Sequence, residues 1–249
     1  MREQPSSELR TEHHPAAIAD RLADERSSYL QDWVLGAVDG TITTFAIAAG
    51  VVGAGLSSGV VVVLGVANLL ADGLSMAASR YLGAQSELER RASARRRERQ
   101  HISLVPEGER EEVRQILAAK GFAGTDLASA VEVITADPDT WVDFMLTEEL
   151  GFLAQPDRPI AAATATFVGF VVCGVLPIAP FVVASTSIDV AMPWMWSGTL
   201  TAAAFVAVGG LKGRLTGGRP IRSALQTLAV GGTAAAIALL VGHLLRDLT

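Results

Sequence analysis

Asp39 and Asp72 each lie inside a long apolar stretch, where an ionisable side chain marks an ion or substrate path. Residues 33–56 are apolar or small apart from Asp39 and a few threonines, and residues 60–78 apart from Asn68, Asp72 and Ser75. Each stretch is long enough to cross a bilayer, which takes about 20 residues. A carboxylate at that depth costs about 2.5 kcal/mol or more on insertion scales. Asn68, Asp72 and Met76 recur every four residues and share one helix face. They offer a carbonyl, a carboxylate and a thioether, a set better suited to a first-row divalent metal than to Na⁺ or Mg²⁺. At about 1.5 Å per residue both aspartates lie at a similar depth, about 10–12 Å from the charged end of their segment, so they could face one path.

A second constellation lies downstream. Glu98 and His101 are three residues apart, as are Glu109 and Glu112; Met145 and Glu149 are four apart. Each pair projects from one face of a helix. Glu-x-x-His with further glutamates is the ligand vocabulary of carboxylate-bound iron in helical proteins. The same spacing is common on exposed helices, and on spacing alone the ligand and solvated-surface readings both stand. Glu87, Glu89, Glu107 and Glu111 fit the solvated surface, and Arg95, Arg96, Arg97 and Arg99 face the cytosol or lipid headgroups.

These residues need helices in a membrane to position them. Half of the chain is hydrophobic and the mean hydropathy is +0.36, too apolar for an ordinary soluble domain of 249 residues. Five spans can be drawn, near 32–55, 58–80, 160–185, 191–211 and 222–245. The polar stretch 1–31 has no apolar core before a cleavage site, so the first span is expected to be retained. Arg2, Arg10, Arg21 and Arg26 precede that span, the 80–158 segment is arginine-rich, and Lys212, Arg214, Arg219 and Arg222 gather between the last two spans. The other two linkers carry Asp189 alone. The positive-inside rule then places the N-terminus and the middle segment in the cytosol and the C-terminus outside. Eighteen arginines against two lysines hint at a GC-rich bacterial genome, and hence a bacterial cell membrane. The single cysteine, Cys173, excludes an internal disulfide.

The expected fold is an all-α membrane protein: a tail at 1–31, two spans within 32–80, a helical unit at 81–158 and three spans within 159–249. Residues 81–102 continue the second span without a break. Further helices are expected at 107–120, with Gly121 as its stop, at 125–136 and at 138–150. The glycines and alanines of the first span (Gly36, Gly40, Ala46, Gly50, Gly53) would let helices of two copies approach closely, giving a homodimer with a path on its axis.

Five segments carry a resemblance: VLGAVDGTITTFAIAAGVVGA, GVANLLADGLSMAASRYL, PEGEREEV, WVDFMLTEELGF and GFVVCGVLPIAPF. In that order they resemble the vacuolar iron transporter family, over nearly the whole chain. The resemblance implies five spans, a cytosolic helical metal-binding domain inserted between spans two and three, a dimer, and export of ferrous iron, sometimes manganese, in exchange for protons. It implies that Asp39 and Met76 are pore residues, with Asn68 and Asp72 on the adjoining face. It also implies that Glu98, Glu109, Glu112, Met145 and Glu149 are metal ligands. His101 stands where the family usually has glutamate, and Leu146 where some members have a second methionine. Arg80 replaces a glutamate before the tyrosine that ends span two. A fixed positive charge there should repel a dication unless it pairs with Glu87 or with a carboxylate of a second copy.

The sequence thus reads as a transporter of Fe²⁺, with divalent metal, protons and lipid as partners and no enzyme chemistry or nucleic acid. The rivals are a manganese exporter of the same fold and a membrane-tethered metal store or sensor. A di-iron oxidase would need a second Glu-x-x-His, and neither His13, His14 nor His243 has a glutamate three residues earlier.

Overall fold

The computed structural model describes residues 13–15, 17, 29–152, 158–186 and 190–248. Arg2, Arg10, Arg21, Arg26 and Asp189 lie outside the described residues. From Leu30 on, eight α-helices follow one another among the described residues: α1 (Leu30–Gly53), α2 (Ser58–Leu104), α3 (Pro106–Ala119), α4 (Gly124–Thr135), α5 (Pro138–Glu148), α6 (Pro159–Ala184), α7 (Pro193–Leu215) and α8 (Pro220–Leu244). Among the described residues there is no strand. Five of the helices (α1, α2, α6, α7, α8) are long and apolar enough to cross a membrane. The sequence-drawn spans agree to within a few residues, and α7 runs on through Lys212 to Leu215.

Local chemistry sets the ends. Proline opens α3, α5, α6, α7 and α8, where its missing N–H is one the helix could not use. Asp137 caps α5, its carboxylate accepting from the Thr140 N–H at 2.8 Å. Gly121 takes φ +100° and ends α3. Its N–H reaches Ala118 O while that of Phe122 reaches Leu117 O, the paired bonds of a Schellman stop. No such signal interrupts α2. Beyond Ala78 the chain turns from apolar to charged but stays rich in Ala, Arg, Glu and Gln, so one 47-residue helix of about 70 Å leaves the bundle as a stalk.

Backbone contact holds the membrane bundle together. A Cβ on Gly36 would lie 2.0 Å from Thr166 O, one on Gly40 2.3 Å from Phe170 O, and one on Gly169 2.1 Å from Trp33 O. These glycines press α1 onto α6. Gly53 and Gly242 do the same between α1 and α8, with Leu239 O and Gly50 O at 2.4 and 2.0 Å. The expectation that the first-span glycines serve contact between two copies is therefore corrected: Gly36, Gly40 and Gly53 are occupied within the chain. Helices that pack without a hydrophobic drive need this close approach. Cys173 is buried beside Val34, Ala37 and Val208, in a packing role.

One rim of the bundle collects the basic residues. Tyr29 Oη accepts from the Arg158 N–H there, Asp32 meets Arg80, Leu30 lies across a cleft from Lys212, and Gly213 abuts Pro220. The stalk of α2 leaves from this rim and packs with α3, α4 and α5 into a separate helical unit. Its core is Val113, Leu117, Val131, Trp141 and Met145, with Ala94, Val142 and Leu146 beside it. Arg99 is solvent-exposed as expected and Arg95 partly so, and both also make ion pairs. They bind Asp143 and Asp139 on α5, fastening it to the stalk.

Gly40→Ala and Gly169→Ala should each destabilise the bundle by about 1–3 kcal/mol, because backbone must shift to admit the methyl. Gly83→Ala and Gly232→Ala meet nothing within 4 Å and should leave the melting temperature in detergent unchanged or slightly raised.

Candidate metal path and metal centre

The path residues lie on the seam between α1 and α2. Asn68 Nδ2 donates to Thr43 Oγ1 at 3.2 Å and reaches Thr44 Oγ1 at 3.5 Å. Twelve residues further along α2, the Arg80 guanidinium meets Asp32, eleven residues before Thr43 on α1. Antiparallel helices tied at these two points have a fixed register, which sets Asp72 level with Asp39. The two carboxylates are electrostatic neighbours. Asp39 is half-buried; Asp72 is exposed, on a face of α2 that its own chain leaves uncovered and that also carries Leu70 and Leu74, 60% and 64% exposed. Met76 packs against the bundle core of Val61, Leu69 and Phe170. The Asn68 amide nitrogen is engaged with threonine, so its oxygen is the atom left to face a cation.

In the helical unit the sequence-separated acids converge. Glu98 projects from the stalk and Glu109 from α3, both almost fully buried, at 3% and 5% exposure. His101 Nδ1 lies 3.3 Å from Glu109 Oε1. Ligand atoms of Glu98, His101 and Glu109 all fall within 4.8 Å of one another. Glu109 Oε2 is buried with no hydrogen-bond partner. An orphaned carboxylate oxygen in a nearly dry pocket is an unmet demand for a cation. Glu112 and Glu149 are more open to solvent, yet both act electrostatically on Glu98, and Glu149 also feels His101. Met145 is wholly buried in the core of the unit, one turn before Glu149. The proximity of Glu109 to Glu98 and His101 depends on the turn at Val105, where α3 folds back on the stalk.

A model of the VIT family matches residues 30–243, from the first residue of α1 to the last turn of α8. The chain belongs to the VIT family. It is 35% identical over 211 residues to vacuolar iron transporter 1 of Arabidopsis thaliana, covering 84% of this chain and 83% of that one. A vacuolar iron transporter of Toxoplasma gondii is 34% identical over 227 residues, covering 88% and 75%. One of Plasmodium falciparum is 27% identical over 227 residues, covering 88% and 82%.

Some site residues of this VIT-family chain escaped the sequence reading. Glu87 or a carboxylate of a second copy is the pairing the sequence suggests for Arg80; within the chain it pairs with Asp32, 13% exposed. The signal was present: Asp32 is seven residues, two turns, before Asp39. Thr43 and Thr44 passed as ordinary span residues and prove to be the anchors of Asn68. Arg110 stacks 5.5 Å over the buried Trp141 ring and donates to Thr135, holding α3 against α4 and α5.

Burial raises the Glu98, Glu109 and Glu149 carboxyls above the usual glutamate range; Glu112 adds to all three, and Glu98 adds to the other two. A group that holds its proton more tightly when folded contributes stability at low pH, lost as pH rises through its folded pKa. Glu111 runs the other way, held at about 2 by Arg114, but its effect falls below the ordinary value of 4.5. The metal-free protein should therefore melt higher at about pH 5 than at about pH 7. Glu109→Gln should raise the melting temperature at about pH 7 and flatten the profile. A wild-type profile flat between those values would remove this account.

Proposed function

We propose that the chain is a transporter, not an enzyme, that moves Fe²⁺ out of the cytosol in exchange for protons. The observation that carries the reading is the unbroken α2, which bears Glu98 and His101 at one end and Asn68, Asp72 and Met76 at the other. One rigid element thus joins a cluster fit to collect a dication with a seam fit to pass one. The family membership and the printed names of the relatives support iron as cargo. Manganese is the competing cargo, since carboxylate, imidazole and carbonyl donors accept both ions.

In this reading Glu98, His101, Glu109, Glu112, Met145 and Glu149 collect the metal. Carboxylates and imidazole must be free of protons to bind it, so each capture releases protons. Asp39 and Asp72 then pass the ion along the α1–α2 seam, with the Asn68 oxygen and the softer Met76 thioether as neutral donors. A dication in a low-dielectric region needs compensating charge, and two level carboxylates supply it. Once the metal leaves, the same carboxylates can return protons.

The uncovered face of α2 around Asp72 supports a homodimer. A second copy against that face would gather four carboxylates on one axis and cover Leu70 and Leu74. The basic rim supports an orientation with the N-terminus and the helical unit cytosolic and the C-terminus outside, and the excess of arginine over lysine favours a bacterial cell membrane. Export across such a membrane and filling of a vacuole move metal in the same sense, out of the cytosol.

Purified protein in liposomes with an imposed pH gradient tests the reading. Wild type should take up Fe²⁺, with competition by Mn²⁺ ranking the cargoes, and folded Asp39→Ala should lose uptake at least about a hundredfold. Near wild-type uptake by that variant would reject the path. Glu98→Gln combined with Glu109→Gln should abolish the tightest Fe²⁺ or Mn²⁺ binding by titration calorimetry at about pH 7. Unchanged binding would return the cluster to a structural role. Metal binding without uptake in wild type would favour the store or sensor.

A further inference from the structure

Arg80 sits one turn beyond Met76, on the α2 face that carries Asn68 and Asp72. Asp32 sits two turns before Asp39 on α1. Arg80 Nε donates to Asp32 Oδ1 at 2.6 Å and Nη2 to Oδ2 at 3.4 Å. The side chains are 27% and 13% exposed, so the pair is largely shielded from solvent. It closes the α1–α2 seam at the basic rim, where the stalk departs, while Asn68 and Thr43 tie the other end. Asp39 lies about 10 Å further along the helix axis. A cation travelling from the helical unit to Asp39 along this seam meets Asp32 and Arg80 first.

We propose that Asp32 and Arg80 form a charge gate at the mouth of the path. The guanidinium occupies the carboxylate that an arriving dication would use. Entry exchanges one cation for another on Asp32: the metal takes the oxygens and Arg80 swings away. The pair at rest contributes almost no net charge of its own to the mouth. The inference rests on the transport reading of Asp39 and Asp72.

The gate and a mere fastening differ in sign. Removing the carboxylate makes the mouth one charge more positive, which opposes entry. Removing the guanidinium makes it one charge more negative, which favours it. A pair that only fastened α1 to α2 would loosen the same contact in both cases and move transport in one direction.

Initial Fe²⁺ uptake into liposomes, measured against metal concentration with melting temperature in parallel, separates the two. Asp32→Asn should raise KM and Arg80→Gln should lower it, each by about threefold to tenfold. The paired variant should fall between them. Asp32→Glu and Arg80→Lys should stay closer to wild type than the neutral replacements. The shifts should shrink at high ionic strength. KM moving in the same direction in both neutral variants, or only the melting temperature moving, would overturn the gate. Should Asp32→Asn not fold, Arg80→Gln decides alone: a lower KM supports the gate and a higher one rejects it. A folded wild type that takes up no Fe²⁺ would instead reject the transport reading beneath it.

Discussion

A carboxylate at membrane depth is tolerated only with compensation, and the arrangement of this bundle follows from supplying it. Asp39 is half-buried and level with Asp72, so two negative charges share one seam. Nothing on α1 or α2 alone could hold them there. Gly36 and Gly40 bring α1 into backbone contact with α6, and Gly53 brings it against α8, which fixes the helix that carries Asp39. Asn68 and Arg80 then tie α2 to α1 at two points and set the register. The carboxylates are held in place by contacts that are mostly apolar or neutral, which in the proposed reading leaves their own charge for a cation.

The second consequence is mechanical. Because α2 continues through the rim without a break, the helical unit is rooted in the helix that carries Asn68, Asp72 and Met76. The stalk supplies Glu98 and His101, α3 folds back to supply Glu109, and the arginines on the next stalk face grip α5 through Asp139 and Asp143. The core of Val113, Leu117, Trp141 and Met145 excludes water beneath the acids, which is why their proton affinity rises. In the proposed reading such a cluster would bind a dication or protons in its place, and that competition would couple metal to pH.

Helix existence was legible in the amino-acid sequence because its signals are local. Apolar runs mark the five long helices, proline marks five of the starts, Gly121 marks a stop, and the absence of Gly or Pro between Ala84 and Leu104 marks the stalk. The grouping of Asn68 with Asp72 and Met76, and of Glu98 with His101, was legible for the same reason: residues three or four apart on a helix share a face whatever the tertiary fold.

Which faces meet was decided only by the tertiary structure. Glycines that permit close approach do not name their partner, and those of α1 met α6 and α8 within the chain. Arg80 had several acids within reach in sequence and took Asp32, 48 residues away. Arg95 and Arg99 stay at the surface, and only the fold shows that α5 supplies their partners, Asp143 and Asp139. The burial of Glu109 depends on the angle at which α3 returns from Val105, and no periodicity encodes that angle. Helical periodicity is imposed by hydrogen bonds spanning four residues. Contacts between helices depend on the shape of surfaces far apart in the chain, and so does the site built from them.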